Sequence, residues 1–178
     1  MKQNRDVKQP SVTSILPPVD FFCTPLQLEA ARQEGIEFHA KMDMYFSTGA
    51  TFGDPDIIAV DKLLQENSRA LGALVLHEER LNSSFKFTGQ PDAIFEKAIV
   101  DFKRTRSNDK RLALQLAGYH ILAVENLNIK PTKKWYCIYG KDGDWKIANV
   151  YDPQAEDIFM ALLKKYYIDI AIKRYMEG

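Results

Sequence analysis

The sequence predicts an α/β (α+β) fold in which a central mixed β-sheet is flanked by helices. Two helical patterns come first, a block of short strand patterns follows, and a helix, a hairpin and a final helix complete the order. A chain of 178 residues with 46% apolar residues is long enough for one domain with its own core. We therefore expect residues 1–10 to be a flexible tail and residues 11–178 to form a single domain.

Charge and cysteine content narrow the classes of function. The 24 basic and 24 acidic residues give a net charge of zero, which excludes a histone-like protein that binds nucleic acid by bulk charge. The N-terminus has no apolar run typical of a signal peptide, and no segment has the length of a membrane helix. Two cysteines are too few to ligate an iron–sulfur cluster, and they suit a reducing compartment. We expect a cytoplasmic protein without membrane contact.

The first part of the chain carries the clearest helix signals. Residues 11–19 are a short apolar segment that ends at two prolines. Thr24-Pro25 is typical of a helix start, and the apolar spacing predicts a helix over residues 25–46. A second helix is expected over residues 56–70.

Strands follow, because the hydrophobic period changes from helical to alternating. Four strands are predicted over residues 71–81, 83–89, 91–95 and 98–103. After a polar loop, a helix is expected over 110–125, two strands over 133–140 and 145–152, and a last helix over 152–176. The Asp-Gly pair at 142–143 indicates a tight hairpin between the last two strands.

The strands around residues 91–103 carry an unusual charge pattern. With Glu96-Lys97 as a two-residue turn, Asp92 lies opposite Asp101, and alternation places Lys103 on the same face. Directly opposed carboxylates repel across a sheet, and a bound divalent cation would relieve that repulsion. The alternative is a solvated strand end with ordinary surface charges. Glu-Lys is not a favoured hairpin turn, and a slip of one residue would separate the two carboxylates.

These residues resemble the signature of the PD-(D/E)XK nuclease superfamily, in its RecB-like or phage exonuclease branch. Pro91-Asp92 followed by Asp101-Phe102-Lys103 is similar to its PD…DxK motif. Further similarities lie in order along residues 10–125. They are SVTSIL at 11–16, Arg32, Gly35 and His39 in ARQEGIEFH, an acidic residue at 78 or 79, and Gln115 and Tyr119 in QLAGY.

The resemblance implies a restriction-endonuclease-like core and hydrolysis of DNA phosphodiester bonds with Mg²⁺ or Mn²⁺. The metal ligands it implies are His39, Asp92, Asp101 and the backbone carbonyl of Phe102. Lys103 would be the catalytic lysine, and Gln115 and Tyr119 would support the site or contact the DNA backbone. One branch of the superfamily holds an iron–sulfur cluster through four cysteines, and the cysteine count disfavours that branch.

Two further groups of residues are candidates for the site. Strand alternation directs only one of Glu78 and Glu79 inward, and the spacing to Leu81 favours Glu79 as a catalytic residue. Residues 97–111 hold six basic and two acidic side chains, a local charge of +4, although such a run is more often a solvated loop. The candidates for DNA contact are Arg32, Arg104, Arg106, Lys110 and Arg111.

Several of these residues also have a structural explanation. A single histidine on a helix, such as His39, is more often a structural residue than a metal ligand. Gln115 and Tyr119 share a helix face, which an amphipathic, partly buried stripe would also explain. Gly35 costs about 1 kcal/mol relative to Ala inside a helix, so we expect close packing there.

The resulting expectation is a DNA nuclease, preferably an exonuclease of phage or prophage type that acts in recombination or repair. A structure-specific or restriction-like endonuclease is one alternative. A non-catalytic descendant that binds DNA or a partner protein is another. Because the chain has no GxxxxGK[ST] phosphate loop, a helicase or recombination protein is an expected partner.

Overall fold

The structure is a computed structural model, and it describes residues 9–18, 24–105, 109–130 and 132–177. The helices of this part of the chain are α1 (Val12–Ile15), α2 (Pro25–Thr48), α3 (Pro55–Glu66), α4 (Ser68–Leu71), α5 (Asp109–Leu127) and α6 (Ala155–Glu177). Its strands are β1 (Leu74–His77), β2 (Leu81–Asn82), β3 (Thr88–Gly89), β4 (Ala93–Phe95), β5 (Ala98–Lys103), β6 (Trp135–Lys141) and β7 (Asp144–Asn149). None of the described helices is long and apolar enough to cross a lipid bilayer.

A five-stranded mixed sheet forms the centre of the fold, in the order β1-β4-β5-β6-β7. Strands β5 and β6 run parallel, and the other neighbouring pairs run antiparallel. The connection from β5 to β6 contains α5, as a parallel pair requires a crossover. The predicted fold class, a mixed sheet flanked by helices, is confirmed.

Each face of the sheet has its own apolar cluster. On one face, Ile94 and Ile99 pack with buried residues of α1, α5 and α6. On the other face, Phe95 and Phe102 pack with Phe38 of α2 and with residues of α3 and α4. The two clusters follow the alternation predicted for the β4–β5 hairpin, which is therefore buried on both sides.

The β4–β5 hairpin has the register predicted from a two-residue turn. Ala93 pairs with Val100, and the remaining pairs of β4 and β5 follow the same antiparallel register. Continued by one residue beyond β4, this register places Asp92 opposite Asp101. The slip that would have separated the two carboxylates does not occur.

Contacts from outside the hairpin hold its unfavoured turn. The N–H of Glu96 donates to the carbonyl of Ala73 at 2.9 Å, and the N–H of Lys97 donates to the carbonyl of Leu71 at 2.9 Å. The Glu96 side chain also accepts from the N–H of Ala73 at 3.2 Å. The segment between α4 and β1 therefore supplies the order that the Glu-Lys dipeptide itself lacks.

The strands predicted over residues 71–81 and 83–89 differ most from the structure. The strand predicted over residues 71–81 is divided into β1 and β2 at Glu78, whose φ of 46° ends the extended conformation. The strand predicted over residues 83–89 is reduced to β3, because the chain turns before it and Lys86 has a φ of 68°. The short apolar segment that begins at Ser11 forms the single helical turn α1.

Two local signals in the sequence are confirmed. The side chain of Thr24 accepts from the N–H of Gln27, and the Gln27 side chain accepts from the N–H of Thr24, which closes a capping box at α2. Asp142 and Gly143 have φ values of 54° and 82°, as the tight turn between β6 and β7 requires.

Arg104, predicted to contact DNA, takes part in the packing of α3, β5 and β7. Its guanidinium forms an ion pair with Asp56 and lies 5.7 Å from the ring centroid of Phe38 and 5.8 Å from that of Trp145. The Asp56 carboxylate also accepts from the N–H of Gly143 and from the indole N–H of Trp145, each at 2.8 Å. Only 20% of the Arg104 side chain is exposed, so this arginine joins elements of the fold.

Asp56→Ala is expected to destabilise the fold, because it leaves the charge of Arg104 and the indole N–H of Trp145 without their acceptor. The free energy of unfolding, measured by urea denaturation, should fall by about 2–4 kcal/mol. Asp144→Ala is the matched control, because the Asp144 side chain is 80% exposed and its ion pair with Lys146 spans 3.6 Å. Equal losses in both variants would contradict a stabilising role for Asp56.

Candidate functional site

Asp92 and Asp101 are the centre of the candidate site. Both are buried, with 9% and 0% of their surface exposed. Asp92 accepts a hydrogen bond at Oδ2 from the N–H of Phe102 at 2.7 Å. Burial, and next the charge of Asp101, raise the pKa of Asp92 to about 7. The two carboxylates are therefore close enough that the site favours a proton or another cation between them.

Lys103 and Gln115 hold the Asp101 carboxylate. The Lys103 ammonium lies 2.9 Å from Oδ1 and 2.7 Å from Oδ2, and Gln115 Nε2 donates to Oδ1 at 3.0 Å. Burial alone would lower the pKa of Lys103, but the charges of Asp101 and Asp92 raise it, so the lysine stays protonated. Within the described part of the chain, Asp101 Oδ2 has no partner in hydrogen-bond geometry, although the ammonium is near.

Helix α5 places Gln115 and Tyr119 next to these carboxylates. Gln115 Nε2 also donates to the Tyr119 hydroxyl at 3.2 Å, and both side chains are buried. Burial, followed by the charges of Asp92 and Asp101, raises the pKa of Tyr119, so the phenol stays neutral. Gln115 and Tyr119 therefore lie next to the candidate site and are also part of the buried face of α5. The spacing of the two residues was compatible with either position.

Helix α2 brings His39 to Asp92 and to Glu78. Its Nδ1 lies 3.0 Å from Oε1 of Glu78 and 3.8 Å from Oδ1 of Asp92. Burial lowers the pKa of His39, but the hydrogen bond with Glu78 and the charge of Asp92 outweigh burial and raise it. One ligand atom from each of these three residues lies within 4.8 Å of the other two, a spacing that suits one shared metal ion. Asp101, predicted as a ligand, is not a member of this group.

Glu78 lies at the site, whereas Glu79 does not. Gln90 Nε2 fixes Glu78 by donating to its carbonyl and to Oε2, each at 3.1 Å. Glu79 is exposed. The preference for Glu79 rested on its spacing to Leu81, but the positive φ of Glu78 interrupts the strand before that residue. Alternation counted from the buried Leu76 identifies Glu78 instead.

The main chain of Phe102 lies beside Asp92. Its N–H points at Asp92. The N–H and C=O of one residue in an extended strand point to the same side. The Phe102 carbonyl is therefore directed toward the side of β5 on which Asp92 lies.

An open cleft of about 390 Å³ leads to His39, Glu78 and Asp92. Its other walls come from α1, β3, α5 and the segment after β1. The N-terminal wall is fixed at both ends. The N–H of Thr88 donates to the carbonyl of Pro10 at 2.9 Å, and the Nε–H of Arg111 donates to the carbonyl of Pro17 at 3.2 Å.

The residues predicted to contact DNA do not form one continuous basic face in the described part of the chain. Arg32 is on an exposed part of α2, where it forms an ion pair of 3.7 Å within its own helix. Lys110 is exposed in the first turn of α5. Arg104 and Arg111 make contacts within the fold. Arg106 lies outside the described residues.

Gly35 does not pack closely, contrary to the expectation from its helical position. Apart from its chain neighbours and the backbone of its own helix, a Cβ atom added to Gly35 would meet no atom within 4 Å. Gly35 lies one turn before His39, so the two residues are on the same side of α2. The glycine therefore leaves open space beside the histidine.

Comparison with known proteins adds little about function. No family model matches the chain, and no curated protein matches it. The chain is similar to a crystal structure from Eubacterium rectale named "Putative exonuclease", over 90% of this chain and 71% of that one. The identity is 13% and the TM-score is 0.48, so the similarity carries no argument about chemistry.

The donor set fits a divalent cation. Two carboxylates and an imidazole are ligands that Mn²⁺ accepts, and carboxylates also suit Mg²⁺. The raised pKa of Asp92 indicates a position that favours added positive charge.

Asp92→Asn is expected to stabilise the metal-free protein. The pKa of Asp92, about 7, lies above its ordinary value, so ionised Asp92 at pH 8 opposes folding, whereas at pH 4 the folded protein keeps it protonated. Asparagine removes the charge and keeps an acceptor for the N–H of Phe102. In urea denaturation with EDTA, the free energy of unfolding should rise at pH 8 by on the order of 1 kcal/mol. The gain should shrink toward pH 4, and a loss at pH 8 would refute the repulsion.

Glu78→Gln should weaken Mn²⁺ binding by about tenfold or more, because it removes one of the charged ligands. Isothermal titration calorimetry at constant pH measures this effect. Glu79→Gln is the matched control, since Glu79 is adjacent and exposed, and its affinity should equal that of the wild type. Equal affinities for all three proteins would show that Glu78 is not a ligand.

Proposed function

We propose that this protein is a metal-dependent nuclease that hydrolyses DNA phosphodiester bonds, with residues 11–178 acting as one nuclease domain. The observation that carries the proposal is the convergence of His39, Glu78 and Asp92 within 4.8 Å, in an open cleft. The Asp101–Lys103 pair lies next to this group, as the sequence resemblance to the PD-(D/E)XK superfamily implies.

The metal would be Mg²⁺ or Mn²⁺. His39, Glu78 and Asp92 would hold it. Asp101 and the carbonyl of Phe102 would be further oxygen ligands, as the resemblance implies. Bound there, the ion would neutralise the phosphate and lower the pKa of the attacking water.

Lys103 contributes a fixed positive charge to the site. Its pKa is raised, so it does not act as a base at neutral pH. The side chain is 31% exposed, which leaves the ammonium able to approach a phosphate while it contacts Asp101. Its role is to stabilise the charge that develops on the phosphate in the transition state.

Gln115 and Tyr119 act as positioning residues. Gln115 donates to Asp101 and to the Tyr119 hydroxyl, so it fixes the orientation of the carboxylate. Both side chains are buried, and they limit the access of water to the site from the side of α5.

An exonuclease of phage or prophage type is the preferred form of this activity, in recombination or repair in the cytoplasm of a bacterium or a phage-infected cell. A helicase or recombination protein would then be its partner. The cleft is open, and an open cleft admits a continuous strand from the side. This observation favours a structure-specific endonuclease as the second candidate.

Activity on defined DNA tests the proposal. The protein is incubated with Mg²⁺ or Mn²⁺ and with end-labelled linear DNA beside closed circular DNA. Degradation of linear DNA alone indicates an exonuclease, and nicking of circles indicates an endonuclease. Lys103→Ala should lower the rate by about 100-fold or more, because it removes a charge that acts on the transition state.

Lys97→Ala is the matched control, since Lys97 is an exposed lysine in the turn of the same hairpin. It should retain wild-type activity. Activity of Lys103→Ala equal to that of Lys97→Ala would contradict the role of Lys103. No cleavage of any DNA by the wild type would favour the non-catalytic descendant.

A further inference from the structure

Arg80 is a cationic residue of the cleft that the sequence motifs do not include. It lines the same cleft of about 390 Å³ as His39, Glu78 and Asp92, and it is exposed. Among the described residues that line this cleft, Arg80 is the one lysine or arginine. The described structure records no hydrogen bond or ion pair for its side chain.

The position of Arg80 relative to the metal ligands is limited by the chain. It follows Glu78 by two residues, so their Cα atoms are at most about 7 Å apart. Glu78 itself is held by two hydrogen bonds from Gln90. The base of the Arg80 side chain is therefore fixed next to the metal ligands, while the long side chain can still reach into the cleft.

The positive charge of Arg80 can offset the negative charge of the cleft. The cleft contains the carboxylates of Glu78 and Asp92, which repel an anionic substrate. The basic residues that the motifs identified near the site, Lys103 and Arg104, already contact carboxylates of the fold. Arg80, which lines the cleft, can take a second phosphate beside the one that Lys103 approaches.

We propose that Arg80 binds the phosphate next to the one that is cleaved, and so sets the position of the strand over the metal ligands. This inference rests on the proposed nuclease function. The planar guanidinium presents paired N–H donors that match two phosphate oxygens. Because Arg80 follows Glu78 by two residues, its guanidinium can reach a phosphate adjacent to the one at the metal ligands.

Oligonucleotides with one neutral linkage test this contact. In each substrate, a single phosphodiester is replaced by a methylphosphonate, and single-turnover cleavage in Mn²⁺ is measured with the wild type, Arg80→Ala and Arg80→Lys. Arg80→Ala in the protein and the methylphosphonate in the DNA each remove the charged contact. Either change alone should lower the cleavage rate by about tenfold relative to the wild-type protein with unmodified DNA. The two changes together should cost no more than one of them. Arg80→Lys keeps the charge without the paired donors and should be intermediate.

Arg69→Ala is the control, because Arg69 is an exposed arginine on α4 and does not line the cleft. It should be as active as the wild type with every substrate. Mn²⁺ affinity should be unchanged in Arg80→Ala, since the arginine is not a ligand.

The outcomes separate this inference from the function on which it rests. An active wild type with an equally active Arg80→Ala variant overturns the role of Arg80 alone. The inference is also overturned if the rate losses from Arg80→Ala and from each neutral linkage multiply when the two changes are combined. Arg80 would then contact none of the replaced phosphates. A loss of Mn²⁺ affinity in Arg80→Ala would make the arginine a support of the metal ligands and refute phosphate binding. A wild type that cleaves no oligonucleotide overturns the nuclease function and this inference with it.

Discussion

Two carboxylates that oppose each other inside a buried hairpin are the constraint on which the rest of the site depends. The register of β4 and β5 places Asp92 across from Asp101, and the body of the protein surrounds both. Their repulsion adds to burial in raising the pKa of Asp92. Lys103, His39 and the N–H of Phe102 offset part of it. Such a conflict in a core is expected at functional sites, and a bound cation would resolve it.

The fold brings the other residues of the site to this hairpin from separate elements. Helix α5 covers the face that carries Ile94 and Ile99, and from that side Gln115 orients Asp101. Helix α2 packs on the opposite face through Phe38, and His39, the next residue, reaches Asp92 immediately before β4. The positive φ of Glu78, immediately after β1, turns this residue toward His39 and Asp92. The site therefore depends on helices on both faces of the sheet and on the interruption of the strand at Glu78.

Local patterns predicted the sheet, the hairpin register and the face that carries Asp92 and Asp101, because alternation and turn length are properties of a few consecutive residues. The structure brings Glu78 rather than Glu79 to the cleft, since a left-handed backbone conformation at Glu78 breaks the alternation on which the choice of Glu79 relied. Arg104 was unpredictable as a structural residue, because its partner Asp56 is 48 positions away in sequence. Tertiary pairing of this kind leaves no local signal.

Crystals soaked in Mn²⁺ would reveal the metal site, because manganese gives an anomalous signal that locates the ion without reference to any assumed ligand. We expect a peak in the cleft within bonding distance of His39, Glu78 and Asp92, with Asp101 next to it. A saturating soak that leaves the His39–Glu78 hydrogen bond intact, with no peak within bonding distance of Asp92, would contradict it.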